Sequence, residues 1–411
     1  MKILYLSHRI PFPPNKGDKI RSFNEVKYLS NDHEIHLGCI ADDPTDLKYE
    51  IDLKRYCQKL AVEPVNKIFA KGKSALHIFS NTALSIGYFY SSHLQRIIDN
   101  WLSAYVYDAV ICFSSPMAEY LFRSTYLKER FKSDPLPRTS HPLPRLIMDF
   151  CDLDSDKWLQ YARKSYFPLN IIYGIENNRL LKYEKIINQR FDHSVFVSWQ
   201  ESDLFFQRYP QAKNVSAIPN GVDHEYFKPQ TPNPEPRIPN PVLLFTGAMD
   251  YHANAEGVAW FCKDVYPIIK RDLDKTEFYI VGSNPIPKVK ALADNNGIRV
   301  TGYVEDIRPF YQKADVCVVP LRLARGIQNK ILEAMAVGKA VVATSMAAEG
   351  IAANPGEHLL IENTPNGFAH AITFLIKNRE TASKIGSNAR KFVVEKHNWS
   401  KNMKKFEDLL K

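Results

Sequence analysis

Runs of aliphatic and β-branched residues alternate with stretches of helical period along the whole chain of 411 residues. KILYLS, EIHLGCIA, VYDAVICF, PRLIMDF, HSVFVS and VSAIP read as strands of a first half, with a helix expected over 18–30. VLLFTGAM, EFYIVG, IRVTGYV, DVCVVPL, AVVAT and HLLIE read as strands of a second half, with one helix over 255–270 and another from about Gly326. Short β-branched runs set between helical stretches are the mark of parallel sheets covered by helices on both faces. The pattern predicts an α/β protein of two Rossmann-like domains facing each other across a cleft, with ligands bound beyond the carboxyl ends of the strands.

Proline marks where the alternation stops. KPQTPNPEPRIPNP, Lys228 to Pro241, removes the backbone donors that helix or sheet needs and reads as a linker. The expected division is a first domain over 1–222, a Pro-rich linker over 223–241, a second domain over 242–388, and a C-terminal helix over 389–411 that packs back toward the first. SDPLPRTSHPLP, Ser133 to Pro144, reads as a surface insertion.

Composition changes this picture little: 45% hydrophobic, 24% charged and 12% aromatic residues describe a folded protein, not a disordered or fibrous one. MKILYLSHRIPFP has too few apolar residues before His8 and Arg9 for a signal peptide, and no stretch is apolar for long enough to span a membrane. The six cysteines are scattered without CxxC pairs, which argues against a zinc or redox site and suits a reducing cytoplasm. No metal and no cofactor is expected. A net charge of +9 suits anionic ligands but lacks the dense basic stripe of a nucleic-acid binder. Within residues 53–98, however, Lys54, Arg55, Lys59, Lys67, Lys71, Lys73 and Arg96 face only Glu63, interleaved with Phe69, Phe79, Tyr88, Phe89 and Tyr90. This segment either docks on an anionic membrane, at the inner face of the plasma membrane, or is a solvated basic face over core aromatics.

The densest candidate chemistry is RGIQNKILEAMAVGKAVVAT, Arg325 to Thr344. A helix starting near Gly326 would present unpaired N–H groups beside Arg325 and Lys330, an arrangement that suits a phosphate. Glu333, about two turns in, falls on the same side as Gly326, Asn329 and Lys330 and could accept both hydroxyls of a ribose, while Ile331, Leu332, Met335 and Ala336 face the sheet. The plain alternative is a surface helix with an ordinary Lys330–Glu333 ion pair.

Three segments in fixed order, VSAIPNGVDHEYFKP, GYVEDIRPFYQKADVCVVP and LEAMAVGKAVVAT, resemble the glycosyltransferase family 4 type of sugar-nucleotide transferases, which have the GT-B fold. The chain is similar as a whole to the sugar transferases associated with bacterial exopolysaccharide and PEP-CTERM systems. The resemblance implies transfer of a sugar from a UDP- or GDP-sugar to a hydroxyl of a lipid-linked or oligosaccharide acceptor, with retention of anomeric configuration. It implies that Glu333 binds the donor ribose, and that Gly247, Asp250, Arg325, Gly326, Ile327, Gln328, Asn329 and Lys330 surround the diphosphate and sugar. The chain departs from the family at Arg325, where relatives carry an acid against the transferred sugar. An arginine favours a phosphate or a carboxylate-bearing sugar, so Arg325 is also an expected catalytic residue. FTGAMDYHANAEG offers Asp250 and His252 in place of the family's usual cation, which leaves Lys330 and Arg325 to neutralise the diphosphate.

On the acceptor side, PFPPNKGDKIRSFNEV places Gly17, Asp18 and Arg21 at the start of the first helix, with Asp18 as its expected cap and Lys16 and Lys19 nearby. A capped surface helix would look the same. VICFSSPM has Ser114 and Ser115 where relatives often carry a histidine. In LIMDFCDLDSDKW the acids are Asp149, Asp152, Asp154 and Asp156; Asp152 and Asp154 are candidates for orienting the acceptor or acting as general base, and helix capping is their plain alternative. Closure about Asn220 and Gly221 would exclude water. Two rival readings are a UDP-sugar epimerase of the same fold and a non-catalytic nucleotide-sugar-binding partner.

Overall fold

The computed structural model describes residues 1–65, 72, 81–127, 131, 143–229, 240–294, 297–324 and 326–411. They form two compact units, Met1–Ile218 with Met403–Lys411, and Pro219–Asn402.

The first unit is built on β1 (Lys2–Ser7), β2 (Glu34–Ala41), β3 (Lys59–Pro64), β4 (Ala109–Phe113), β5 (Arg145–Cys151), β6 (His193–Phe196) and β7 (Val215–Ala217). All pairings are parallel, in the order β3-β2-β1-β4-β5-β6-β7. The winding reverses between β1 and β4, so a crevice opens at their carboxyl ends. Both strands are apolar and fully buried over Ile3–Leu6 and Ala109–Phe113, as central parallel strands must be.

β3 corrects the reading of residues 53–98. KLAVEP is an edge strand, half-buried along most of its length, and its lysine and glutamate disguise it among basic surface residues. Of the described aromatic residues of that segment, Phe89 and Tyr90 pack against the core of the unit. Phe89 packs edge-on to His8 at 5.2 Å, and Tyr90 lies under the Arg123 guanidinium at 4.2 Å and beside Tyr120. Lys67, Phe69, Lys71, Lys73 and Phe79 lie outside the described residues, as do 230–239 of the proline-rich linker and 133–142 of the expected insertion.

The second unit repeats the scheme with β8 (Val242–Thr246), β9 (Glu277–Val281), β10 (Ile298–Gly302), β11 (Val316–Val319), β12 (Ala340–Ala343) and β13 (Leu360–Ile361). Its parallel order, β10-β9-β8-β11-β12-β13, reverses between β8 and β11. The helix expected over 255–270 starts at His252 and runs to Asp272 through a π-helical turn at Phe261–Val265 that buries Phe261, Cys262 and Val265. The single C-terminal helix expected over 389–411 is two helices, Arg379–Lys396 and Trp399–Asp408. His397 ends the first of them, buried, with Nδ1 2.9 Å from the Asn220 carbonyl oxygen. Only residues 403–411 belong to the first unit, where Phe406 and Leu410 are buried and Glu407 lies 3.0 Å from His33 Nε2. Among the described residues no helix is long and apolar enough to cross a membrane.

Candidate active site

At the carboxyl end of β8 the chain turns at Gly247, whose φ of +152° few side chains tolerate. A Cβ there would lie 2.7 Å from Asn254 Nδ2 and 3.4 Å from Lys330 Cε. Gly282, after β9, has φ +149°, and a Cβ on it would collide with the Gly247 carbonyl. The paired glycines let adjacent strand ends close up and keep the space before Lys330 free of side chains.

Across the switch point, the loop after β11 leads to the helix Asn329–Ala336. That helix begins later than expected because Gly326 adopts φ +60° and turns the chain before it, with Gly350 pressed against its carbonyl. Glu333 is therefore about one turn in rather than two. Gln328 precedes the helix without a side-chain cap, Ile327 is buried, and Ile331, Leu332, Met335 and Ala336 pack inward as the spacing predicts. Arg325 lies outside the described residues.

Lys330 is partly buried, its ammonium 5.4 Å above the Phe245 ring and 3.2 Å from Asn254 Oδ1, with Gln328 Oε1 at 3.4 Å. Burial lowers its pKa to about 8, with Glu333 opposing. The amine donates two long hydrogen bonds to neutral amides and forms no ion pair with Glu333 among the described residues, contrary to the plain helix-surface alternative. A cation compensated so little by its own protein suits an incoming anion. Tyr311 donates a 2.8 Å hydrogen bond to Glu333 Oε2, and Thr246 Oγ1 stands 2.9 Å from the same hydroxyl. Burial raises the pKa of Glu333, while the Tyr311 bond and Lys330 oppose it. Asn329 Oδ1 accepts a 3.3 Å bond from Asn220 Nδ2, and Gly221 is packed so closely on Trp399 that a Cβ would lie 2.6 Å from it. The expected hinge is thus clamped within the second unit. Asp250 is exposed and turns to Asn284 at 3.3 Å.

The first unit redistributes the acceptor-side expectations. Lys16, not Asp18, precedes the helix Gly17–Leu29, and no side chain caps it. Asp18 sits in the first turn, paired with Arg9 and 3.3 Å from His8 Nε2. Against the cost of burial, Arg9 and His8 hold its carboxyl well below the usual range. Gly17 is exposed. Arg21 is fully buried, donating to Asp149 and to the Ile218 carbonyl at 2.8 Å each and pairing with Glu25 at 3.0 Å, so it braces the sheet and is not available to an acceptor at the surface. Lys19 likewise turns to Asp46 at 2.8 Å. Ser114 holds a left-handed φ of 74° after β4, and two buried atoms just beyond the β1 and β4 ends, His8 Nδ1 and Ser115 Oγ, have no hydrogen-bond partner among the described residues.

At the end of β5, Cys151 at φ 62° leads to the helix Asp154–Lys164. The aspartates do not cap it. Glu201 accepts from Leu153 N at 2.8 Å and Glu184 from Ser155 N at 3.0 Å, carboxylates supplied by other helices. Burial, then the charge of Glu201, pushes Asp152 up to about 7, which brings it into the range of a general acid or base at neutral pH. Asp154 lies 3.8 Å from Lys157, Asp156 pairs with Arg208 at 2.9 Å, and Asp149 is taken by Arg21. Among the described residues no three His, Cys, Asp or Glu side chains are grouped to hold a metal ion. Asn254, Tyr311 and His8 were not singled out in the sequence; nothing in their spacing marks them.

Residues 240–378 match the profile of a family described as Glycosyl transferases group 1. Over 97% of both chains, the protein is 24% identical to a 44.6 kDa protein in the cps region of Klebsiella pneumoniae. Sucrose-phosphate synthase from Thermosynechococcus elongatus superposes with a TM-score of 0.72 at 16% identity, covering 100% of this chain and 98% of that one. Anabaena HepE in complex with UDP and glucose superposes with a TM-score of 0.68 at 14% identity, covering 100% and 99%. With two parallel-sheet α/β units of GT-B type and a group 1 glycosyl transferase domain in the second, the chain is a glycosyltransferase.

Proposed function

We propose that the enzyme moves a sugar from a UDP- or GDP-sugar to a hydroxyl of a glycan acceptor, lipid-linked or oligosaccharide, with retention of configuration. The observation that carries the reading is the Lys330 ammonium, lodged at the switch point of the second sheet, hydrogen-bonded among the described residues to the Asn254 and Gln328 amides, and fronted by the bare Gly247. As the anomeric C–O bond breaks, negative charge grows on the departing diphosphate; Lys330 and the first N–H groups of the Asn329–Ala336 helix would receive it. Glu333, with one oxygen fixed by Tyr311, would take the ribose hydroxyls. Gly326, Ile327 and Gln328 would line the diphosphate with their backbone, Arg325 would add a second cation, and Asp152 would orient the acceptor. This reading uses no metal ion or cofactor.

HepE, whose structure holds UDP and glucose, supports a nucleotide-sugar donor, and the relative in a cps region supports a role in exopolysaccharide or related cell-surface glycan synthesis. Thermal unfolding in a panel of UDP-, GDP- and ADP-sugars tests it. A ligand of the folded state at one hundred times its Kd stabilises by about 2.7 kcal/mol, so one base class should raise the midpoint by several degrees. No shift with any nucleotide sugar would contradict the reading.

A further inference from the structure

The helices Asp154–Lys164 and Leu169–Arg190 pack side by side as a hairpin in the first unit. Their arms are held by rings, Trp158 to Tyr173 at 5.3 Å and Tyr161 to Tyr173 at 6.1 Å, and farther along Leu180 packs on Ala83 and Ile86. The turn between the arms takes no part in this packing. Tyr166 is 91% exposed, Phe167 77%, Leu169 48% and Ile171 52%. Single exposed apolar residues are ordinary, but four within one turn of chain form a patch with something to cover.

Charge selects the occupant. From Lys157 to Ile175 the sequence holds Lys157, Arg163 and Lys164 and no acid, and Arg163 and Lys164 are both exposed beside the apolar turn. Aromatic and aliphatic side chains at a hairpin end, flanked by cations, match the boundary of an anionic bilayer, where rings settle at headgroup depth and each cation gains from the surface potential. A second copy of the chain fits less well, because a stable dimer covers roughly 800 Å² per partner and these are four side chains at a turn. We propose that the 163–171 turn docks the enzyme onto anionic lipid membranes, by shallow insertion of Tyr166, Phe167, Leu169 and Ile171 with Arg163 and Lys164 on the headgroups. This surface is separate from the residues 53–98 considered in the sequence, and it does not depend on the donor or acceptor.

Flotation of the full chain with vesicles tests it, comparing phosphatidylcholine alone with phosphatidylcholine containing phosphatidylglycerol. The chain should float with the anionic vesicles, less so at high salt, and the double variant Tyr166→Ser, Phe167→Ser should lower partitioning about ten-fold or more, since two large apolar groups leave the interface. Because both positions are exposed, the variant should keep the parent's thermal midpoint, and a Phe167→Trp variant should show blue-shifted emission on anionic vesicles. The proposal is overturned if the chain ignores anionic vesicles, if the double variant binds them equally well, if the tryptophan emission stays unshifted, or if the chain is a dimer that the double variant makes monomeric.

Discussion

Arg21 and Lys330 show how differently two cations in one chain are employed. Arg21 is buried against Asp149, Glu25 and the Ile218 carbonyl, and Tyr5 joins the group by donating to Glu25 at 2.6 Å. Removing one member leaves buried charge without a partner, so Arg21→Met should destabilise the fold by about 3–5 kcal/mol, measured by urea unfolding of the unliganded protein. A change within ordinary error would show that the acceptor-side expectation for Arg21 had been nearer the truth. Lys330 has no ion-pair partner among the described residues, and burial lowers its pKa to about 8 against the opposing charge of Glu333. In the sequence both residues are simply cations near a helix start. Lys330 was singled out because the segments around it come in a set order; Arg21 was misread because a charged residue gives no sign that its partner lies on a strand far along the chain. Asn254, which holds Lys330, belongs to a different helix and left no local trace.

At the scale of elements, the Asp154–Lys164 helix depends on carboxylates it does not own. Glu184 serves Ser155 N from the neighbouring helix, and burial pushes its pKa from 4.5 up to about 8. The folded state therefore holds this proton more tightly than the unfolded chain. Its contribution to stability is greatest below about pH 4.5 and is lost as pH rises toward about 8. Glu184→Gln, which keeps the shape and stays neutral, should flatten the decline of thermal midpoint across that window and raise the midpoint at its upper end. An unchanged pH profile would remove Glu184 as the cause. Most strands were readable because parallel strands buried on both faces are continuously apolar. β3 was not, because an edge strand tolerates lysine and glutamate on its open side. The late start of the Asn329–Ala336 helix and the break at His397 escaped notice for another reason. Helical period continues through both places, and only backbone dihedrals and tertiary partners decide where each helix stops.

At the scale of the whole molecule, both units follow one scheme, a parallel sheet whose winding reverses beside its first strand. Positive-φ residues stand at carboxyl ends of strands or in the loops that follow them in both units, Ser114 and Cys151 in the first and Gly247, Gly282 and Gly326 in the second. Alternation and composition were enough to read the α/β class and the two-part division, because these depend on the sum of many positions. The boundary was less exact: the units divide after Ile218, and the closing residues 403–411 belong with the first. The central claim is that the second unit binds a nucleotide diphosphate through Lys330. Calorimetric titration of UDP and GDP into the parent chain and into Lys330→Met tests it most directly. Loss of a charge-assisted contact of about 1.5–3 kcal/mol should weaken binding of the preferred nucleotide by about ten- to hundred-fold. The same variant should unfold at an equal or higher temperature without ligand, since a poorly compensated cation has been removed. Undiminished affinity in a folded Lys330→Met protein would contradict the account.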